Sequence, residues 1–271
     1  LFISLHQDGR TLYPGTGAVD ELGGVNALGQ TLNVPLPPTT GDEGFLYVID
    51  NLVLPVLADF KPDLIINSAG QDNHFTDPLT HMNFTARGYA LLNQKLSPDI
   101  AVLEGGYAIQ GALPYVNLGI VLAMAGIDFD GVREPDYDPE KLKQAPKIME
   151  YIKIVCDTVR ESYYNPPKTP ARGELHNGIF SRMKDIYYDT DRISESQVES
   201  VRVCENCSGA VKYETWSTIN PLSCCVQIPL DACERCRAWG QRMIEEAQVK
   251  GNYRYVQVID RPGRFYVQHG F

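Results

Sequence analysis

A short apolar stretch that runs into a group of polar side chains is the most constraining feature of this sequence. Residues 64–69 are apolar or small and lie between a proline and a glycine, and residues 71–74 are Gln-Asp-Asn-His. Such a stretch predicts a strand that is buried on both faces. In open α/β sheets, ligands bind beyond the carboxyl ends of strands of this kind, so Asp72 is a candidate functional residue.

The same layout recurs further along the chain. Residues 85–96 have helical spacing, residues 100–103 predict a second buried strand, and Glu-Gly-Gly-Tyr follows at 104–107. Because parallel strands end at the same edge of a sheet, we expect Asp72 and Tyr107 to lie near each other. Each piece alone is more typical of a turn or a packed ring. Their combination, with glycines that let a ligand approach the backbone, favours a functional site.

Several segments together resemble the zinc-dependent histone deacetylase superfamily. They are Ser-Ala-Gly-Gln-Asp-Asn-His-Phe-Thr-Asp-Pro-Leu at 68–79, Leu-Glu-Gly-Gly-Tyr at 103–107, Ser-Leu-His at 4–6 and Tyr-Pro-Gly-Thr-Gly at 13–17. The resemblance extends in order to about residue 130, covers the C-terminal half of the family's domain, and is closer to class II and bacterial acetoin-utilisation proteins than to class I. It implies an α/β fold with a parallel sheet of the arginase and deacetylase type.

The resemblance also implies a reaction, the hydrolysis of an acetyl or acyl amide on lysine or a related amine. A zinc ion would act there as a Lewis acid and lower the pKa of its bound water. Asp72 would be one zinc ligand, and the hydroxyl of Tyr107 would stabilise the oxyanion of the intermediate. His74 and His81 do not match the family's catalytic histidine pair, so we expect both to form hydrogen bonds within loops.

Supporting positions follow from the same resemblance. Tyr13 and Leu79 would line the channel that holds the substrate, and the backbone of Gly105 and Gly106 would form its wall. Ser4 and Leu5 would bind a monovalent cation such as potassium through a hydroxyl and a carbonyl oxygen. From the residues alone, Ser4 is an ordinary strand hydroxyl and Tyr13 a half-buried aromatic side chain.

The start of the chain bears on whether the site is complete. The first residue is not methionine, and residues 1–5 already have the character of a buried strand. In the family, the segment before this strand carries a His-His pair and an Asp-x-His that supplies two zinc ligands. We therefore expect either an upstream half of the same protein or a partner subunit to complete the zinc site. The alternative is a non-catalytic subunit that binds partners or has a structural role.

Two Cys-x-x-Cys pairs, with 25 residues between them, mark a different region of the chain. Four thiolates at this spacing predict a tetrahedral structural zinc of the zinc-ribbon kind. The proposed ligands are Cys204, Cys207, Cys233 and Cys236. Cys224 or Cys225 could replace one of them, or pair as a disulfide in an oxidising compartment. Seven cysteines without a secretion signal favour metal binding.

These patterns divide the chain into three parts. Residues 1–130 form the deacetylase-like α/β domain, in which Asp42 caps a helix that Pro55 kinks or splits. Residues 131–172 form a helical extension over 139–164 and a proline-rich linker over 165–170. Residues 173–271 form a small α+β zinc-binding module, which includes a helix within 231–250 and a hairpin over 253–269.

Charge and hydropathy narrow the range of partners. The net charge is −10, and 21 acidic residues outnumber 12 basic ones in the first 172 residues. This balance argues against a nucleic-acid partner and suits a cationic substrate. There is no run of about 18 apolar residues that could span a membrane and no signal-like N-terminus. We expect a soluble, cytoplasmic protein without a membrane partner, and an oligomer is possible.

Overall fold

A computed structural model describes residues 1–168, 173–188 and 191–270. It divides into two compact units. The first comprises Leu1–Leu22 and Gln30–Pro166, and the second comprises Gly23–Gly29 and the chain from Pro167 onward. Three positions used in the sequence-based division lie outside the described residues. They are the end of the proline-rich linker at 169–170, the boundary at 172 and the last residue, 271.

The first unit is an α/β domain with parallel strand pairs. Its strands are β1 (Phe2–Gln7), β2 (Thr31–Leu36), β3 (Ile66–Ala69) and β4 (Ile100–Leu103); its helices are α1 (Asp42–Val48), α2 (Leu54–Phe60), α3 (Ala86–Leu96), α4 (Leu113–Met124) and α5 (Pro146–Tyr164). Strand β1 pairs in parallel with β2, and β3 pairs in parallel with β4. The predicted α/β class with parallel strands is confirmed.

The helix predicted to be interrupted at Pro55 accommodates this proline by a local change of winding. A π-helical segment, Ile49–Val53, joins α1 to α2, and Pro55 lies in the first turn of α2. A proline inside a regular α-helix loses a hydrogen bond and clashes with the preceding turn, and a π-helical turn changes that spacing. The prediction that Asp42 caps α1 is wrong. Gly41 is the N-cap, and the Asp42 carboxylate instead accepts hydrogen bonds from the N–H and hydroxyl of Thr85 (2.8 and 2.6 Å).

Helix α5 begins later than predicted. It starts at Pro146 and not near residue 139, and Ala145 before it has an extended backbone. The residue before a proline is disfavoured in the helical conformation, whereas proline itself suits the first helical position. The apolar face of α5 is buried in the core of the unit through residues that include Ile148, Ile152, Val155 and Val159.

The prediction that β3 and β4 are buried on both faces is wrong. Ile66 is 56% exposed, Ile100 is 43% exposed and Leu103 is 69% exposed. The opposite face of β3 is covered, because Ala69 is buried in the core and Asn67 donates a hydrogen bond to Asn93 of α3 (2.9 Å). Within the described residues, this strand pair is therefore covered on one side, and its other side presents apolar side chains to solvent.

The second unit is built on one seven-stranded sheet. Its strands are β5 (Glu174–His176), β6 (Ile179–Tyr188), β7 (Ile193–Arg202), β8 (Val211–Ser217), β9 (Ser223–Ile228), β10 (Tyr255–Asp260) and β11 (Phe265–Gly270), and its helix is α6 (Glu234–Lys250). The spatial order is β11-β10-β9-β8-β7-β6-β5. Neighbours are antiparallel except β9 and β10, which are parallel and are connected through α6. The predicted α+β character and the hairpin β10–β11 are confirmed.

Helix α6 packs on one face of this sheet. Alternate residues of β9 and β10 are buried under it, which is the period that a half-covered strand requires. They are Cys224, Val226, Ile228, Val256 and Val258. Gly240 of α6 allows close packing, because a Cβ atom there would lie 2.6 Å from Ile228 Cγ1. Across the described residues of both units, we find no helix long and apolar enough to cross a membrane.

Candidate functional site

The carboxyl ends of β3 and β4 lie side by side, as the sequence predicts. Ala69 is paired with Leu103, and just beyond them the N–H of Gln71 donates to the carbonyl of Gly105 (2.6 Å). A Cβ atom on Gly105 would lie 2.5 Å from Asp72 Oδ2 and 3.7 Å from Tyr107 Cε2. Only glycine leaves this space open between the carboxylate and the phenol ring. We call Asp72, Gly105 and Tyr107 the strand-end site.

Asp77 connects the two loops of the strand-end site and was not singled out from the sequence. Its Oδ2 accepts a hydrogen bond from the N–H of Tyr107 (2.8 Å), and its Oδ1 accepts one from the N–H of Leu79 (2.9 Å). Asp77 is buried. The Asp-Pro pair in the segment 68–79 was the available signal, but its contact with Tyr107 depends on how the two loops fold together.

Burial is the main electrostatic influence on Asp72. It raises the pKa of this carboxyl group above its usual range, the negative charge of Asp77 raises it further, and the backbone N–H groups of Asp72 and Asn73 partly oppose the change. A carboxylate in such surroundings gains from a nearby cation. The strand-end site therefore offers an oxygen ligand for a metal ion and, in Tyr107, a hydroxyl donor that is about half exposed.

His74 follows Asp72 by two residues and is buried. Its Nδ1 accepts the N–H of Thr76 (3.2 Å), so the ring proton lies on Nε2, which donates to Glu134 Oε1 (3.1 Å). Glu134 also accepts the N–H of Ala86 at the start of α3 (3.1 Å). Burial tends to raise the pKa of Glu134, but these hydrogen bonds outweigh it and lower the pKa. His74 thus forms loop hydrogen bonds, as expected.

The other positions assigned from the resemblance lie on β1 and in the loops. The hydroxyl of Ser4 forms a hydrogen bond with His6 Nδ1 (2.8 Å), and His6 Nε2 forms one with the carbonyl of Gly17 (3.0 Å). If Ser4 donates its proton to His6, its oxygen keeps lone pairs that a cation could use. Leu5 is partly buried beside it on β1, whereas Tyr13 and Leu79 are about half exposed.

The four cysteines of the two Cys-x-x-Cys pairs lie together in the second unit. Their sulfur atoms all lie within 4.8 Å of one another, and the sulfurs of Cys204 and Cys233 are 3.8 Å apart. A tetrahedral zinc with Zn–S distances of about 2.3 Å places its sulfurs about 3.8 Å apart. We call Cys204, Cys207, Cys233 and Cys236 the cysteine cluster. Its donor chemistry and spacing fit a structural metal ion.

Local backbone geometry positions both halves of the cysteine cluster. The first pair lies in the loop between β7 and β8, where the N–H of Gly209 donates to Cys207 Sγ (3.4 Å). Cys233 is the N-cap of α6, and the N–H of Cys236 lowers the pKa of the Cys233 thiol to about 7. A lowered thiol pKa favours the thiolate, which is the form that binds metals.

Cys224 and Cys225 lie outside the cysteine cluster. Both belong to β9, where neighbouring side chains point to opposite faces of the sheet. Cys224 is in the core under α6, and burial raises its pKa to about 11. Burial also raises the pKa of Cys225. All seven cysteines are free thiols, and within the described residues the cysteine cluster is the one group of three or more potential metal ligands.

Comparison with known proteins assigns the region that contains the strand-end site. Residues 1–118 match the family model of the histone deacetylase domain. This part of the chain is therefore similar to the histone deacetylase domain. The deacetylase-like region includes Asp72 and Tyr107, whereas the cysteine cluster lies beyond the match.

Individual proteins are also similar to this deacetylase-like region. A probable deacetylase of Archaeoglobus fulgidus is 53% identical over 152 residues, which are 52% of this chain and 42% of that protein. The acetoin utilization protein AcuC of Bacillus subtilis is 37% identical over 153 residues, 53% of this chain and 40% of that protein. The chain thus spans about two fifths of the length of these relatives.

Solved structures show the same fold. The HD domain of HDA15 has a TM-score of 0.51 and 28% identity, over 60% of this chain and 44% of that chain. The histone deacetylase Clr3 has a TM-score of 0.52 and 26% identity, over 65% of this chain and 30% of that chain. The predicted deacetylase-type fold of the first unit is confirmed.

Proposed function

We propose that the deacetylase-like region contributes to the zinc-dependent hydrolysis of an acetyl or acyl amide on lysine or a related amine. The observation that carries this proposal is the space at Gly105, which lies between the Asp72 carboxylate and the Tyr107 ring. It supports a reaction in which a metal-bound substrate carbonyl lies close to a hydroxyl donor. The named deacetylases among the relatives point to the same chemistry.

The residues of this chain have distinct roles in the proposed mechanism. Asp72 would hold zinc through a carboxylate oxygen, and bound zinc supplies a Lewis acid and an acidified water. Tyr107 would donate its hydroxyl to the oxyanion of the tetrahedral intermediate, a contribution of about 3 to 4 kcal/mol for donors of this kind. Asp77 would keep Tyr107 in place through the N–H of that residue. The backbone of Gly105 and Gly106 would form the channel wall.

Residues outside this chain would complete the zinc site, in this proposal. The strand-end site supplies one carboxylate ligand, while catalytic zinc in proteins usually has three protein ligands. The apolar, solvent-facing side of β3 and β4 supports the proposal, because exposed apolar patches commonly mark interaction surfaces. An upstream segment of the same polypeptide or a partner subunit would cover this side and bring the general base and further ligands.

The remaining assignments from the resemblance belong to the same proposal. Tyr13 and Leu79 would line the entry for the substrate, and their partial exposure is compatible with that position. Ser4 and Leu5 would bind potassium near the zinc. We also propose a cytoplasmic location, since a cluster of free thiols in metal-binding geometry is typical of reducing compartments.

For the second unit we propose a structural zinc at the cysteine cluster. The sulfur spacing carries this proposal, and in small domains such a metal contributes directly to folding. The division of the chain into three parts at residues 130 and 172 also belongs to this proposal. A second candidate function is a non-catalytic subunit that binds a partner through this module. It is favoured by the single carboxylate ligand at the strand-end site, which alone does not hold a catalytic zinc.

The first experiment is an intact-mass measurement and N-terminal sequencing of the protein isolated from its natural source. A mass well above 30.2 kDa, with a His-His pair and an Asp-x-His ahead of Leu1, supports the single-chain enzyme. A polypeptide of this mass that co-purifies with a subunit carrying those motifs supports the two-subunit form. A polypeptide of this mass that is isolated alone supports the non-catalytic alternative.

Activity of the complete assembly then tests the proposal directly. The purified assembly is assayed on an acetyl-lysine peptide and on acetylated diamines, with and without zinc. Tyr107→Phe should lower turnover by about 100- to 1,000-fold, because it removes the oxyanion donor and keeps the ring. Tyr164→Phe is the matched control, since Tyr164 has similar exposure and lies on α5. A Tyr107→Phe variant with wild-type turnover would refute the assignment.

A further inference from the structure

A loop from the N-terminal sequence lies against the cysteine cluster. Gly23–Gly29 belongs to the second compact unit, although more than 170 residues of sequence separate it from the first cysteine pair. The segment is folded as a turn, since the N–H of Ala27 donates to the carbonyl of Gly24 (2.8 Å). Its contacts with the loop that carries Cys204 and Cys207 depend on one side chain, that of Asn26.

Asn26 uses both ends of its amide on the backbone of the metal-binding loop. Its Nδ2 donates to the carbonyl of Ser208 (2.8 Å), and its Oδ1 accepts the N–H of Cys204 (3.4 Å). The two contacts lie on either side of Cys207. One amide therefore fixes the distance between the start and the end of the loop that presents two of the four thiols.

Asp231 forms further hydrogen bonds with this loop. The N–H and the hydroxyl of Ser208 both donate to Asp231 Oδ2, each at 2.8 Å. Asp231 precedes Cys233 by two residues, so this contact joins the first cysteine pair to the second. Ser208 thus contacts Asn26 through its carbonyl and Asp231 through its N–H and hydroxyl, so hydrogen bonds connect residues 23–29 to the first cysteine pair and to the segment before the second.

The backbone at Gly209 shows how closely Asn26 approaches. Gly209 has a φ of +80°, and a Cβ atom there would lie 2.1 Å from the carbonyl oxygen of Arg202 and 3.0 Å from Asn26 Nδ2. The loop therefore requires a residue without a side chain at this position. Gly209 also donates its N–H to Cys207 Sγ. The contact with Asn26 and the orientation of the Cys207 thiol therefore both depend on the backbone conformation at Gly209.

We propose that Asn26 is a positioning residue of the metal site, and that metal binding at the cysteine cluster holds residues 23–29 against the rest of the second unit. This inference rests on the structural metal proposed above. Partners that orient metal ligands without touching the metal commonly change affinity by about 10- to 100-fold when they are removed. Conversely, loss of the metal frees Cys204 and Cys207, and with them the backbone that Asn26 binds.

Metal titration of the full chain is the first test. Cobalt(II) is added to the reduced protein and the thiolate-to-cobalt absorption is followed, and zinc affinity is then measured by competition with a coloured chelator. Asn26→Ala should weaken zinc binding by about tenfold and leave the stoichiometry at one metal per chain. Asn252→Ala is the matched control, because Asn252 is an exposed asparagine of the same unit.

Hydrogen exchange supplies a readout that is independent of affinity. In the wild-type chain, the hydrogen-bonded amide of Ala27 within residues 23–29 should exchange slowly with zinc and fast after chelation, whereas in Asn26→Ala it should exchange fast in both states. Strands β9 and β10 report whether each variant is folded. Wild-type chain with a normal cobalt spectrum but no metal-dependent change at 23–29, or Asn26→Ala with unchanged affinity, overturns the inference alone. A wild-type chain without the cobalt absorption overturns the proposed metal site itself.

Discussion

The strand-end site and the cysteine cluster both present candidate metal ligands, but they differ in how complete they are. The cysteine cluster has four sulfur atoms within 4.8 Å of one another, at the spacing of a tetrahedral metal. The strand-end site has one carboxylate, an adjacent phenol and, around them, strands whose apolar side chains are exposed. The first arrangement is typical of a closed structural site, and the second of one part of an open catalytic site.

The difference in completeness follows from how far apart in the sequence the residues of each site lie. A Cys-x-x-Cys pair places two ligands in one short loop, so two loops make a complete site. A site at the ends of parallel strands takes residues from several strand ends, each separated from the next by a crossover helix. Sites of the second kind need more of a protein before they are complete. Because each site draws on its own segments of the chain, substitutions in one region should leave the other unchanged.

The largest expected effect is on the stability of the second unit. Cys236→Ser should lower its free energy of unfolding by several kcal/mol, because it removes a buried ligand and structural zinc contributes on the order of 10 kcal/mol in small domains. Chelation should have the same effect on the wild-type chain. Hydrogen exchange resolves the two units separately, and an equal loss of protection in β2 and β9 would contradict the independence of the two regions.

The next effect is confined to the first unit. Glu134→Ala should lower its free energy of unfolding by about 3 to 5 kcal/mol, because two buried donors, the Nε2–H of His74 and the N–H of Ala86, lose their acceptor. Chemical denaturation monitored by hydrogen exchange measures it. Glu150→Ala, an exposed residue of α5, is the control. A variant as stable as the wild type would show that the buried pair contributes little.

Glu134 also gives this region a pH dependence of known sign. Its pKa is lowered in the native state from an ordinary value of 4.5, so its contribution to stability is present above that value and is lost as the pH falls through the lower native pKa. The wild type should lose stability in acid more steeply than Glu134→Gln, which does not titrate. Parallel curves for the two proteins between pH 7 and pH 3 would contradict this account.

A smaller effect is expected at the strand-end site. Asp77→Ala should reduce turnover by about 10- to 100-fold in the completed enzyme, because Tyr107 loses the acceptor of its N–H and small displacements of a catalytic group are costly. The reduction should appear in kcat and not in KM. Asp77→Asn keeps one acceptor oxygen, so its turnover should lie between those of Asp77→Ala and the wild type. A change confined to KM would show that Asp77 positions the substrate and not Tyr107.

The smallest effect distinguishes the cysteine cluster from its neighbours in the sheet. Cys225→Ser should change stability by about 1 kcal/mol or less, since Cys225 is only partly buried and lies outside the cluster. Metal content, measured by mass spectrometry of the native protein, should stay at one ion per chain. Loss of the metal in this variant would mean that a thiol of β9 takes part in binding.

Several parts of the fold and the sites could be predicted because they depend on nearby residues. The ends of β3 and β4 follow from short apolar runs closed by glycine, and the cysteine ligands follow from the spacing of two pairs. The hairpin β10–β11 follows from two apolar strands separated by a Pro-Gly turn. In each case the sequence signal lies in, or directly beside, the segment whose structure it predicts.

The features that were not predicted depend on distant contacts. Strand β7 was missed because it consists mostly of charged and polar residues, so its alternation carries few apolar side chains. The exposure of β3 and β4 depends on which layers pack on them, which a local pattern does not show. The roles of Asp77 and Asn26 are hydrogen bonds between segments far apart in the chain.

The long separation between Asn26 and its partner has a consequence for synthesis on the ribosome. The amide oxygen of Asn26 binds the backbone of Cys204, which is added 178 residues later. At about 5 to 20 residues per second, residues 23–29 wait roughly 10 to 35 seconds for this partner. During that interval the nascent chain carries an unfinished segment, which a chaperone or protease can reach before the last cysteine emerges.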